Sequence, residues 1–314
     1  MDFDIQIEPQ FGYNYNDVLA IADIALENHF KGVRFSDHFM LDANATDKEL
    51  LDPWLLMAAL VRDNEKIRVG SLVFCNSYRM PTLHAKMAAT VDVLSNGRLD
   101  FAIGAGWKEL EYRSMGYEFP SFSARSEQLS EAIQIIRGIW TEEKFSFIGK
   151  YYQVHEVVSF PKPVQKPHPK IWVGSNRGGP KMIELAARYG DGINVAWGFS
   201  PERTEAIFHE LFEFAEMHGR NPKDISKSVG LWTRIMKSKT EMENRISEGA
   251  SSRGISKSDY RKRVDSSLWG TPEMIANKLA QYQNQGVSNI TLMFPYEEER
   301  EQMALFGEAV YPLL

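Results

Sequence analysis

Eight short runs rich in β-branched, aromatic and small residues recur along this 314-residue chain, and each is followed by a stretch that carries helix signals. The first four are Phe3–Pro9, Gly32–Asp37, Ile67–Phe74 and Leu99–Gly104; the later four are Lys170–Gly174, Gly192–Trp197, Ser228–Thr233 and Asn289–Phe294. Strands that alternate with helices pair in parallel, because each crossover returns the chain to the same end of the sheet. Eight such units close economically, so the predicted fold is α/β, a (β/α)8 TIM barrel. The competing arrangement, an open doubly wound sheet, ordinarily carries Gly-x-Gly-x-x-Gly after its first strand, whereas this chain reads Pro9-Gln10-Phe11-Gly12 there.

Capping chemistry supports the division. Asp52-Pro53, Ser200-Pro201 and Thr271-Pro272 each open a helix, with a side chain for the orphan N–H groups and a proline in the first turn. Pro81 opens another that runs to Gly97, and Gly190 and Gly286 end two more. Between Thr141 and Pro169 the pattern changes to aromatic alternation and then to Pro161-Lys162-Pro163 and Pro167-His168-Pro169. That stretch is too short for a core of its own. It reads as an insertion, residues 141–169, between the fourth and fifth βα units of a single domain spanning 1–314.

With 43% hydrophobic and 25% charged residues the chain has ample material for a core. The net charge of −6 argues against a nucleic-acid partner, since phosphate binding needs a concentrated basic stripe. The one local basic group, Tyr260-Arg261-Lys262-Arg263, is flanked by Asp259 and Asp265 and reads as a solvated helix face. A single cysteine, Cys75, permits no intramolecular disulfide and suits a reducing compartment; it sits in an apolar run and reads as core. No apolar run approaches the ~20 residues of a spanning helix, and the start lacks the regions of a signal peptide, so the expectation is a cytoplasmic protein without a membrane partner.

In a barrel the reactive groups collect where strands end, so the residues just after each run matter most. Four places stand out. Ser36-Asp37-His38 puts a carboxylate and an imidazole at the mouth; the imidazole can exchange a proton near neutrality, or serve structure alone. Cys75-Asn76-Ser77-Tyr78-Arg79 turns polar as the third strand leaves the core, and Arg79 either meets an anion or pairs with an acid on a neighbouring helix. Ile103-Gly104-Ala105-Gly106-Trp107 offers small residues beside which a flat ring can lie, with Trp107 as a wall, or is merely a tight turn. Gly174-Ser175-Asn176-Arg177-Gly178-Gly179-Pro180 precedes a helix, where free N–H groups and the dipole suit a phosphate. The last is no Walker A loop, because Pro180 stands where that motif has lysine. No metal site is expected: the histidines lack ligand spacing, and neither His-Glu-x-x-His nor Gly-x-Ser-x-Gly occurs.

These residues resemble the luciferase-like monooxygenase superfamily, and within it the coenzyme F420-dependent oxidoreductases. The resemblance is carried by Val69-Gly70-Ser71-Leu72-Val73, Tyr78-Arg79-Met80-Pro81, Gly97-Arg98-Leu99, the Gly104–Trp107 turn, Phe160-Pro161-Lys162-Pro163, and Ala186-Ala187-Arg188-Tyr189-Gly190-Asp191-Gly192. After about Trp197 it extends to element order only. The resemblance implies that Asp37 and His38 are the catalytic pair beside the cofactor ring. It implies that Leu72-Val73 is a non-proline cis link backing the ring, that Gly104, Gly106 and Trp107 line one side, and that Gly178 and Gly179 take the cofactor phosphate. Asn76, Asn176 and Arg177 complete the expected cofactor-binding set. The carboxylate that follows the second glycine in the family's sugar-phosphate dehydrogenases is Trp107 here, and Asp42 stands where an aromatic is expected four residues after His38. Sugar-phosphate oxidation is therefore not expected. The expected activity is hydride transfer between F420 and a small organic substrate. Two alternatives stay open, an FMN-dependent monooxygenase using dioxygen and a non-catalytic cofactor-binding protein. The family's habit of pairing implies a homodimer.

Overall fold

A computed structural model of residues 1–314 resolves all eight expected runs as parallel strands. They are β1 (Asp2–Ile7), β2 (Gly32–Phe35), β3 (Arg68–Ser71), β4 (Leu99–Gly104), β5 (Ile171–Ser175), β6 (Gly192–Val195), β7 (Ser226–Ile235) and β8 (Asn289–Met293). Each pairs with the next in parallel, and β8 returns to β1 with Leu292 opposite Ile5, so the sheet closes and leaves no edge. The helices that follow β2, β5, β6 and the strand before β8 open at Pro53, Pro180, Pro201 and Pro272. Asp52 caps the first of these, α2 (Pro53–Asp63), by accepting from Trp54 N at 2.9 Å. No helix is long and apolar enough to cross a membrane.

The strand period of two separates two environments. Phe3, Ile5 and Ile7 of β1 belong to the main apolar core, as do Val33 and Phe35 of β2 and Phe101 and Ile103 of β4; that core fills the space between barrel and helices. The alternate residues point into the barrel, and toward its N-terminal end they are polar. Arg34 donates to Asp4 at 2.5 Å and pairs with Asp100 at 2.7 Å, Arg68 grips Asp100 at 2.6 Å, and Asn289 donates to Asp4 at 2.7 Å. Gly70 makes room for this layer, because a Cβ there would stand 2.6 Å from the Arg34 guanidinium.

The expected insertion is an antiparallel hairpin, Phe145–Ile148 with Gln153–Val157, after the helix Phe122–Thr141 that follows β4. A second excursion was not expected. Beyond β7 the chain forms helices Lys239–Ser252 and Lys257–Asp265 and a short strand, Leu268–Gly270, that pairs with the far end of β7. Met236, Met242, Ile246, Ala250 and Tyr260 give it a small core. Only the solvated face of Lys257–Asp265 was legible beforehand: Lys262 and Arg263 are exposed while Tyr260 is buried. The helices are so polar that five apolar anchors do not make a visible stripe.

Candidate active site

All eight strands deliver residues to one cavity of about 410 Å³ at their C-terminal ends. Glu8 and Gln10 follow β1, Asp37 and His38 follow β2, and Leu72 and Val73 follow β3; Gly104, Gly106 and Trp107 end or follow β4. Gly174 and Asn176 come from β5, Trp197 from the end of β6, Trp232 from β7 and Met293 from β8. This is where a barrel carries its chemistry.

His38 is held by a residue that the sequence reading did not contain. Its Nδ1 lies 2.9 Å from a carboxylate oxygen of Glu111, on the short helix Glu109–Ser114. Glu111 also accepts from Phe39 N at 3.0 Å, Tyr78 Oη at 2.6 Å and Lys108 Nζ at 3.2 Å, and it is fully buried. Burial opposes its ionisation, but hydrogen bonding and charge from His38, with Tyr78 and Lys108, outweigh that and hold the carboxyl at about 2. An ionised carboxylate has no proton to give, so His38 Nδ1 is the donor. Nε2 has no protein partner, and the ring stands edge-on to Trp107 with centroids 5.8 Å apart. Nothing in the local sequence separates Glu111 from the solvated Glu109 two residues earlier; only the path of the β4 loop turns it inward.

Asp37 and His38 do not form a pair. Both Asp37 oxygens accept from Arg79 Nη1, at 2.8 and 3.0 Å, and one also accepts from Cys75 N at 2.9 Å. Arg79 reaches on to Asp52 at 2.7 Å, so it meets acids of the protein rather than a free anion. Asp37 thus ties the turn after β3, through Arg79 and Asp52, to the helix Pro53–Asp63, with both of its oxygens already hydrogen-bonded within the protein. Asn76 is also elsewhere than expected: it is buried, donates to Tyr152 Oη at 3.3 Å, and does not line the cavity. The 3-10 turn Asn76–Tyr78 carries it toward the hairpin. Cys75 is buried, and burial pushes its thiol up to about 12, which leaves it inert.

The Leu72–Val73 peptide is cis, and Ala196–Trp197 is a second non-proline cis link, which was not expected. Gly104 and Gly174 flank Val73: a Cβ on either would lie within 2.8 Å of its methyl groups. Their smallness admits Val73 into the cavity wall. Gly106 sits at φ 76° with Tyr112 Oη where a Cβ would project, so no other residue fits there.

The loop after β5 meets the cavity through Asn176, while Arg177, Gly178 and Gly179 continue past its rim. Gly179 caps the helix Pro180–Tyr189 without any side-chain cap. The N–H groups of Arg177, Gly178 and Gly179 donate to nothing within the protein. No atom lies within 4 Å of where a Gly179 Cβ would stand, whereas at Gly178, with φ 56°, Ile207 occupies that place. Arg203 approaches from the next helix and donates to Gly178 O at 3.2 Å. Free amides, a helix start and the Arg203 guanidinium lie together beside open space, an arrangement that suits a phosphate.

The sequence profile described as luciferase-like monooxygenase matches residues 3–261. An F420-dependent glucose-6-phosphate dehydrogenase of Amycolatopsis mediterranei (strain U-32) is 30% identical over 224 residues, which are 70% of this chain and 65% of that protein, just under two thirds of its length. An FMNH(2)-dependent dimethylsulfone monooxygenase of Pseudomonas putida is 26% identical over 284 residues, 82% of this chain and 76% of that protein. Among solved structures, an F420-dependent secondary alcohol dehydrogenase in complex with an F420-acetone adduct superposes with a TM-score of 0.83, covering 99% of this chain and 98% of that one at 18% identity. At that identity the likeness speaks for the fold.

Proposed function

This chain belongs to the luciferase-like monooxygenase family, and on that premise we propose that it is an oxidoreductase moving a hydride between coenzyme F420 and a small organic substrate held at the barrel mouth. The observation that carries the reading is the coincidence of a fixed imidazole with a free Nε2 inside the cavity and a donor-rich loop at its rim.

The residues fit such a cofactor. Open space off Gly179 and the unused N–H groups from Arg177 to Gly179, with Arg177 and Arg203 beside them, would take its phosphate. Leu72, Val73, Gly104, Gly106 and Trp107 would bracket its ring, and Trp197 and Trp232 would close the far wall. Bound F420 supplies the deazaflavin ring that accepts or gives the hydride. His38 Nε2 takes the proton of the reacting substrate hydroxyl, or returns it in the reverse direction, while Glu111 keeps the ring in the required tautomer. Asp37 acts at one remove, by anchoring Arg79 and the Cys75 backbone.

A second reading keeps the site and changes the cofactor to reduced FMN with dioxygen, and the Pseudomonas putida relative favours it. Titrating purified protein with F420 and with FMN, following cofactor fluorescence, separates the two. The first reading expects F420 to bind and Gly179→Val to weaken it at least tenfold. Binding of FMN alone would hand the site to the second. Equal turnover by wild type and His38→Ala across a panel of reductants and acceptors would favour a cofactor-binding protein without catalysis.

A further inference from the structure

We propose that the substrate is an uncharged or cationic molecule with an apolar body and a single hydrogen-bonding head, a hydroxyl or an amine, seated on the Glu8 carboxylate, and that anionic substrates are rejected. The inference rests on the reading above only in taking the mouth cavity as the substrate site.

The carboxylate, imidazole and ammonium side chains lining that cavity are Glu8, Asp37, His38 and Lys108, beside the Cys75 thiol and the Tyr78 hydroxyl. Asp37 is neutralised by Arg79. Lys108 Nζ donates to Met40 O at 2.5 Å, Leu41 O at 2.8 Å and Glu111 at 3.2 Å, so it has no N–H left for a ligand. Glu8 differs from both. No lysine or arginine pairs with it; its oxygens accept instead from Gln6 Nε2 at 2.7 Å and from Gln10 Nε2, and Gln10 is oriented by Ser36 Oγ at 2.8 Å. Two amides fix the carboxylate in place, and the one group nearby able to supply a counter-charge is the His38 imidazole. Burial then disfavours its charged form, and a ligand that donates to it relieves that cost. The free cations of the neighbourhood, Arg177 and Arg203, flank the loop past Asn176, outside the cavity. Much of the rest of the cavity wall is apolar, with Leu41, Phe122, Trp197, Trp232, Met182 and Met293 among its lining. Such a pocket accepts a hydrocarbon body with a donor at one end and offers a carboxylate or phosphate no free lysine or arginine.

Trp107, Trp197 and Trp232 line the cavity, so intrinsic fluorescence reads binding without turnover. The full-length protein, with and without added F420, is titrated with cyclohexanol, cyclohexylamine, cyclohexanecarboxylate and glucose 6-phosphate. We expect the alcohol and the amine to bind at least tenfold more tightly than either anion. Glu8→Gln is expected to shrink the preference for amine over carboxylate at least tenfold, and Leu41→Arg, which adds a cation to the wall, to raise carboxylate affinity at least fivefold. The proposal is overturned if an anion binds wild type as well as the alcohol, if no probe binds, or if the preference survives in a Glu8→Gln protein that melts like wild type. Should Glu8→Gln not fold, an unchanged carboxylate affinity in Leu41→Arg overturns it. F420 affinity is measured in the same samples: its absence beside intact probe discrimination refutes the cofactor reading alone.

Discussion

Replacing Glu111 by alanine removes the acceptor shared by the His38 ring, the Tyr78 hydroxyl, the Lys108 ammonium and the N–H of Phe39. The site is fully buried, so water cannot fully substitute. Deleting one partner of a buried charged network costs about 3–5 kcal/mol. For a chain of 314 residues, with an unfolding entropy of about 2.1 cal/mol/K per residue, that lowers Tm by roughly 5–8 °C. The titration of Glu111 gives a figure of the same order. A carboxyl held at about 2 instead of the usual 4.5 contributes about 3 kcal/mol. Because the folded value is the lower one, this stability is present above pH 4.5 and is lost as pH falls from 4.5 toward about 2. Glu111→Gln keeps the shape but not the charge, and should lose about 1–3 kcal/mol. Calorimetry from pH 2 to 7 measures both effects. Nitrogen NMR of His38 reads the second consequence: wild type should show a protonated Nδ1 and a free Nε2, and the variants should not. In turnover, Glu111→Gln should lower kcat by roughly 100-fold, the lower end of what a positioned base contributes, with KM little changed. A variant that melts within 2 °C of wild type and leaves the His38 spectrum unaltered would refute the reasoning.

Gly178 and Gly179 should part company under substitution. Gly179→Val adds atoms to open space and should leave stability within about 0.5 kcal/mol while weakening cofactor binding; Gly178→Ala forces a side chain onto Ile207 at a positive φ and should cost about 1–3 kcal/mol in urea unfolding. Arg34→Met takes the only ion-pair partner from Asp4 and leaves Asp100 with Arg68 alone, and should cost about 3–5 kcal/mol by the same measurement; a loss below 1 kcal/mol would mean that the layer is solvated.

The barrel was legible because its outward positions obey a simple period. Ile5, Val33, Val69, Phe101 and Ile103 repeat the signal at every strand, and prolines mark the helix starts. The polar interior layer was not legible, since Asp4, Arg34 and Asp100 lie thirty or more residues apart in sequence and each reads locally as a solvated strand position. The site shows the same division. His38, Gly104, Trp107 and Asn176 follow from the rule that chemistry gathers at strand ends, Leu72 and Val73 from the family resemblance, and all six share the cavity. The partners of His38 and Asp37 do not follow from it. The adjacent Asp37 is drawn away by Arg79, while Glu111, seventy-three residues further on, takes the imidazole. Sequence neighbours after a strand point to opposite sides, so adjacency argued against the pairing it suggested.

A crystal structure grown with F420 tests the central claim most directly. The account predicts the deazaflavin ring between Val73 and Trp107, facing His38 Nε2, with its phosphate accepting from the N–H groups of Arg177 to Gly179. A ring bound elsewhere, or a phosphate that leaves those amides free, would contradict it.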